Sequence, residues 1–416
     1  MSKPIIIVVG GGAAGLLAAG KAAENGAKVI ILEKMKRPAR KLVITGKGRC
    51  NITNLTNLDE FLPHFGRTSK FMRPAFNALF NTELKNFLYN LGLEMVDERG
   101  GRVFTKSGKA SDVLKVLLAW LKKLDVEILT STPAKSLVIE NEKVIGVKTA
   151  ERTFFADAVI LSTGGASYPA TGSSGDSYLF AQSVGHKIIP IHPALVPFDV
   201  LNYETINSLN ELHLRNVNCQ LFIDGKKKSD AFGELEFHET GVTGPIVLNL
   251  SFTIVAALKE GKKVNLQVDF KPALDSEKLH TRLLRDIAER GKESLESMLR
   301  GLLPSQLVTI CVIQNEINGK KLANTLTQKE RKKVVHWLKH FMIEIDKPRP
   351  FEEAIVTAGG VNTREINPNT MESKLVQDLF MAGEMLDVQA DTGGFNLQAA
   401  FSTGWLAGIS AAQKFA

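Results

Sequence analysis

The chain has 416 residues, a net charge of +8, 44% hydrophobic residues and 23% charged ones. That length supports two or three domains with an extensive core, and no apolar run nears the ~18 residues a membrane span needs. Its three cysteines, Cys50, Cys219 and Cys311, are far apart and form no C-x-x-C, which argues against a zinc site, a disulfide scaffold or a redox dithiol; no metal is expected.

The opening residues predict a strand over Ile5–Val9, apolar throughout as in a strand covered on both faces. That apolar run is too short for a secretory signal, so the expectation is a soluble, cytoplasmic protein. Gly10-x-Gly12-x-x-Gly15 follows at once and opens a small-residue helix over 13–25. A second strand, Lys28–Leu32, ends at Glu33, 18 residues after Gly15. This spacing is a complete βαβ dinucleotide fingerprint. Gly10 permits the tight turn, Gly12 lets backbone approach a pyrophosphate, and Gly15 allows close packing of helix on sheet. Glu33 would accept hydrogen bonds from an adenosine ribose. FAD and NAD both use such a fingerprint.

The segment KLVITGKGRCNITN (41–54) is too polar for a core strand and unusually rich in donors. Residues 66–91 read as helix, 102–104 as a strand and 111–124 as a second helix. Residues 127–161 read as a strand, an antiparallel meander and a buried strand ending in Thr163-Gly164-Gly165. A meander in this place is not the layout of a simple NAD dehydrogenase. Near the end, a strand leads to Gly383-Glu384, a polar loop and a small-residue helix beginning near Asn396. The positive end of that helix would suit the pyrimidine edge of a reduced flavin.

Between these parts, 190–275 predicts a β-rich insert and 276–355 a helical one. The flanking ranges, 1–189 and 356–416, then form one discontinuous α/β domain. Within the insert, His238 is a candidate acid or base and Glu239 its neighbour, although adjacent strand residues face opposite ways. His192, beside prolines, is a further candidate.

Seven segments in order carry a family resemblance: Gly10–Gly15 with Glu33, KLVITGKGRCNITN, STGGASYPATGSSGD (162–176), TGVTGP (240–245), VTAGGVN (356–362), TMESK (370–374), and AGEMLDV with TGGFNLQAAFSTG. The chain resembles the YhiN/BaiN-type FAD-dependent oxidoreductases, in the flavoprotein superfamily that also contains succinate dehydrogenase flavoproteins. The resemblance implies a Rossmann-like FAD-binding domain interrupted by a cap, with the cofactor held by Gly10, Gly12, Ala13, Ala14, Gly15, Glu33, Lys34 and Lys41. It extends the site to Gly46, Arg49, Cys50, Asn51, Ala134, Thr163, Gly164, Gly165, Gly383, Glu384, Gly394, Asn396, Leu397 and Ala400. Arg49 is also a candidate for binding a substrate anion. Where His238 and Glu239 stand, the family more often has a threonine and a histidine.

The implied activity is hydride transfer between a small organic substrate, or NADH or NADPH as a transient donor, and bound FAD. No second G-x-G-x-x-G follows a strand, so a separate nicotinamide domain is not expected. Direct amine oxidation and RNA modification are the alternatives. Against a nucleic-acid partner, only 7% of residues are aromatic and no basic stretch interleaves with aromatics. The sequence specifies no oligomeric state.

Overall fold

The computed structural model describes residues 3–201 and 206–416. The chain divides into two compact units, residues 1–193 with 351–416, and residues 194–350.

The first unit is built on a five-stranded parallel sheet. Its order is Leu379–Met381, Ala158–Leu161, Ile5–Val9, Lys28–Leu32 and Glu127–Leu129. Ile6, Ile7 and Val8 are wholly buried, as their uninterrupted apolar run predicts. Ser136–Glu140, Lys143–Lys148 and Thr153–Phe155 form the expected meander. Helix Ala13–Glu24 leaves the first strand, and helix Phe395–Gln413 packs against it. Their approach depends on small residues. A Cβ at Gly404 would stand 2.1 Å from the Ala14 carbonyl oxygen, and one at Gly408 would stand 2.2 Å from that of Ala18.

The helix expected over 66–91 is two helices, Ser69–Ala78 and Asn81–Asn90. Leu79 between them is extended, and its carbonyl accepts from Gln398 Nε2 (3.1 Å) and Ser402 Oγ (2.7 Å). A tertiary partner thus captures a group that a continuous helix would use internally.

The second unit is a closed six-stranded barrel. Its order is Phe198–Val200, Gly241–Thr243, Lys226–His238, His213–Ile223, Val264–Asp269 and Phe341–Pro348. Two expectations are corrected here. GPIVLNLS, inside the 190–275 range expected to be β-rich, lies in helix Pro245–Lys259, where Gly244 at φ +96° ends the strand and Pro245 takes the first helical position. The range 276–355, read as helical, also contains the closing strand Phe341–Pro348, which pairs with Phe198–Val200 and Val264–Asp269. The β-rich and helical ranges therefore fold as one unit, because the barrel closes only after its helices have been laid down. Those helices include Ser276–Arg290, Ser305–Gln314 and Gln328–Lys339.

Candidate functional site

The site begins where Ile5–Val9 ends. Gly10 turns at φ +100°, and a Cβ on it would lie 2.7 Å from the Ser162 carbonyl oxygen. At Gly12 a Cβ would meet nothing nearer than 4.0 Å, so its open side is free for a ligand to approach the backbone. The unpaired N–H groups of the first turn at Ala13, Ala14 and Gly15 lie beside it. Glu33 is buried, its carboxylate accepting from the N–H groups of Gly11 (2.8 Å) and Met35 (2.7 Å). Each oxygen keeps a further lone pair for a ribose hydroxyl. The segment bearing Ala134 lies alongside, since Thr132 N–H donates to the Glu33 carbonyl (2.9 Å). Lys34 binds Ser174 and Asp176, the latter at 2.5 Å. Burial works to raise the Asp176 carboxyl, but the Lys34 and Ser174 bonds outweigh it and hold the group below its ordinary value.

From there the chain runs through helix Arg40–Ile44 into a turn of left-handed residues: Gly46 at φ +59°, Lys47 at +56° and Cys50 at +57°. Cys50 is wholly buried, and burial pushes its thiol up to about 12, so it is no thiolate at neutral pH. Asn51 has a buried side-chain oxygen with no partner among the described residues. Arg49 pairs with Glu98 and lies over the Phe104 ring at 4.2 Å.

Lys41 reaches across to Glu384 (2.6 Å) and Ser167 Oγ (2.5 Å). Glu384 also accepts from Ser167 Oγ (2.9 Å) and Thr357 N–H (2.9 Å). Thr357 Oγ1 in turn accepts from the N–H groups of Ala166 (2.8 Å) and Ser167 (3.1 Å), fixing the turn after Thr163-Gly164-Gly165. A Cβ at Gly165 would lie 2.4 Å from Thr357 Oγ1, and one at Gly383 2.8 Å from Ala14 Cβ. Ser167 and Thr357 were not singled out from sequence, although both lie in the motifs quoted. Thr163 presents a buried hydroxyl without a partner among the described residues.

The last element is the loop before helix Phe395–Gln413. Gly394, at φ +103°, would carry a Cβ only 2.5 Å from the Thr53 backbone. The Asn396 side chain is committed to this loop, accepting from Ala390 N–H (2.8 Å) and donating to the carbonyls of Ala390 (2.8 Å) and Asp391 (3.1 Å). Leu397 and Ala400 are half-buried on a helix that is otherwise largely covered. Asp387 was also missed: it is buried and paired with Arg67 at 2.7 Å. Burial raises its carboxyl above the ordinary value against the pull of Arg67.

The second unit's candidates behave differently. His238 ends its strand and its Nδ1 accepts from Thr240 N–H at 3.4 Å, whereas Glu239 is exposed in the turn that follows. In the first unit, His192 Nδ1 faces the Pro190 carbonyl at 3.4 Å. Among the described residues, no cluster of three or more metal-ligating side chains occurs, and no helix is long and apolar enough to cross a membrane.

The donor set fits FAD. It offers an open glycine turn and helix N-terminus for the pyrophosphate, a buried acid for the ribose, and unpartnered buried oxygens at Asn51 and Thr163 farther along. Fold and site together define an FAD-dependent oxidoreductase. Residues 4–410 match the family described as HI0933-like protein Rossmann domain, and the chain belongs to that family. It is 30% identical to the 3-dehydro-bile acid delta(4,6)-reductase of Clostridium scindens, over 95% of each chain. It is 27% identical to the ribosomal RNA dihydrouridine synthase of Haemophilus influenzae, again over 95% of each. Among solved structures, it shares its fold with the 3-ketosteroid-delta4-(5alpha)-dehydrogenase of Rhodococcus jostii. The TM-score is 0.53 at 16% identity, covering 99% of this chain and 97% of that one.

Proposed function

We propose that this flavoprotein reduces a carbon–carbon double bond conjugated to a carbonyl in a small organic molecule, with NADH or NADPH as a transient donor. The observation that carries the reading is the chemistry shared by two relatives with different substrates. A 3-dehydro-delta(4,6) bile acid has its double bonds in conjugation with the 3-ketone. Uridine, which a dihydrouridine synthase saturates, has its reducible bond in conjugation with a ring carbonyl. Both relatives match over 95% of this chain. What they have in common is the reacting bond, not the molecule that bears it.

Bound FAD supplies hydride chemistry. The chain's own residues would place it: Gly10 to Gly15 and the helix N-terminus would hold phosphate, Glu33 would hold ribose, and the Lys41–Glu384 pair would meet the ribityl hydroxyls. The first turn of helix Phe395–Gln413 would suit the flavin's pyrimidine edge, where its N–H groups would favour negative charge.

The second reading keeps this chemistry but moves it to a uracil ring in RNA. It is supported by the full-length match to the ribosomal RNA enzymes and by the net charge of +8. One experiment separates the readings. The purified holoprotein is titrated anaerobically with NADH and then NADPH. The reduced protein is next offered 2-cyclohexen-1-one, 4-androstene-3,17-dione or a uridine oligonucleotide. Bleaching by a nicotinamide and return of the oxidised spectrum with an enone is the expected result. Return with the oligonucleotide alone would establish the RNA reading. Bleaching by a small amine, with no alkene restoring the spectrum, would overturn both in favour of amine oxidation.

A further inference from the structure

We propose that Tyr168 is the proton donor of this reduction, delivering its phenolic hydrogen to the substrate carbon next to the conjugated carbonyl. The inference rests on the double-bond reading above. Saturating such a bond adds a hydride at one carbon and a proton at the other, and FAD accounts only for the hydride. The second hydrogen must come from an acid held by the chain.

Most acids around the cofactor site are committed. Lys41 and Glu384 are locked to each other and to Ser167. Asp387 is buried against Arg67, and Cys50 is wholly buried. Tyr178 is buried as well, its hydroxyl in the field of Glu384 and Asp387. The Tyr178 hydroxyl likewise has no partner among the described residues, but that residue is buried, which sets it apart from Tyr168. Tyr168 is half-buried, and it follows directly on Ser167, which binds both Lys41 and Glu384. Its own hydroxyl makes no hydrogen bond among the described residues.

The backbone supplies an independent observation. Tyr168 sits in the left-handed region at φ 53°, ψ 58°, which bulky L-residues avoid. Three hydrogen bonds hold it there. Its N–H donates to the Phe351 carbonyl (2.9 Å), and its carbonyl accepts from Thr171 N–H (2.8 Å) and Thr171 Oγ1 (2.7 Å). The preceding turn is pinned by Thr357. A left-handed backbone so firmly held fixes the Cα–Cβ bond of Tyr168, and such strain gathers at functional sites. Burial, followed by the nearby Glu353 carboxylate, raises the phenol above its ordinary value, so it remains protonated at neutral pH.

Two electrons and one hydrogen arrive as hydride at the far carbon of the double bond. The π pair moves toward the carbonyl, and the Tyr168 O–H bond breaks as the new C–H bond forms at the near carbon. The tyrosinate regains its proton from solvent, and the nicotinamide dinucleotide restores the two electrons.

The test uses the holoprotein, photoreduced without oxygen and mixed with 2-cyclohexen-1-one or 4-androstene-3,17-dione. In Tyr168→Phe, reoxidation by the alkene should slow by about 10²-fold or more. Reoxidation by ferricyanide, which needs no proton on carbon, should keep its wild-type rate. A readout without turnover is the 295 nm tyrosinate titration. The wild type should contain a phenol, absent from Tyr168→Phe, that ionises above the ordinary tyrosine range. Should the phenylalanine variant fail to retain FAD, a trifluorotyrosine at 168 keeps the hydroxyl but makes it more acidic, and the alkaline limb of alkene-dependent reoxidation must then move to lower pH. Wild-type rates in Tyr168→Phe, or an unmoved limb, overturn the assignment of Tyr168. A wild-type enzyme that neither alkene reoxidises overturns the reading beneath it instead.

Discussion

Substituting Gly404 by alanine tests whether close helix packing positions the phosphate site. The added Cβ would stand 2.1 Å from the Ala14 carbonyl oxygen, within the first turn of the helix that follows Gly10 and Gly12. The atom met is backbone, not the far end of a flexible side chain, so the helices must part by roughly an ångström to restore normal contact. Such overpacking costs about 1–3 kcal/mol. Alanine's better helix propensity returns roughly 1 kcal/mol, leaving a net destabilisation of about 0–2 kcal/mol. The larger effect should fall on the cofactor, because the strained helix end is the one proposed to receive the pyrophosphate. If the displacement forfeits an alignment worth ~1.4 kcal/mol, FAD dissociation weakens tenfold. Urea unfolding of the FAD-free protein gives the stability change, and flavin fluorescence titration gives the dissociation constant. Gly408→Ala is the control. Its Cβ would crowd the Ala18 carbonyl oxygen at 2.2 Å, one turn farther from the phosphate site. It should match the destabilisation and change FAD binding less. Equal, unchanged FAD affinity in both variants would refute the idea that this packing sets the site.

Three further outcomes are expected. Burial pushes the thiols of Cys50, Cys219 and Cys311 from 9.0 up to about 12, so they stay protonated in the folded protein while unfolded thiols ionise. Their contribution to stability is intact below pH 9 and is lost as pH rises toward 12, by about 1.4 kcal/mol per thiol per pH unit; urea midpoints that stay flat from pH 8 to 10 would contradict it. Arg67→Met removes the charge that opposes the upward shift of Asp387, whose raised carboxyl favours folding at low pH and loses that contribution as pH rises through its folded value. The variant should therefore fall further below wild type at pH 7 than at pH 4, measured as thermal midpoints. In the second unit, Thr327→Ala breaks the capping box with Glu330 at the start of helix Gln328–Lys339 and should cost about 1 kcal/mol in urea unfolding.

The βαβ geometry that carries the proposed nucleotide site was legible in the sequence because its determinants are local. A buried strand, a glycine turn, a small-residue helix and an acid at fixed spacing lie within about thirty residues, and the chemistry of phosphate and ribose dictates each. The meander and the strand Ala158–Leu161 were equally legible, through β runs parted by turn residues. What only the tertiary structure decided are pairings between residues far apart in the chain. Lys41 with Glu384, Thr357 under the Ser167 turn, and Asp387 with Arg67 arise because three strand ends and a late helix converge on one place. Leu79 breaks a helix whose local pattern is continuous because a distant helix takes its carbonyl. The barrel likewise closes through Phe341–Pro348, after the intervening helices, and hydrophobic periodicity says nothing of which strand will be its neighbour. Local spacing determines what a segment can be, whereas the partners that satisfy its polar groups are fixed only when the chain has folded back on itself.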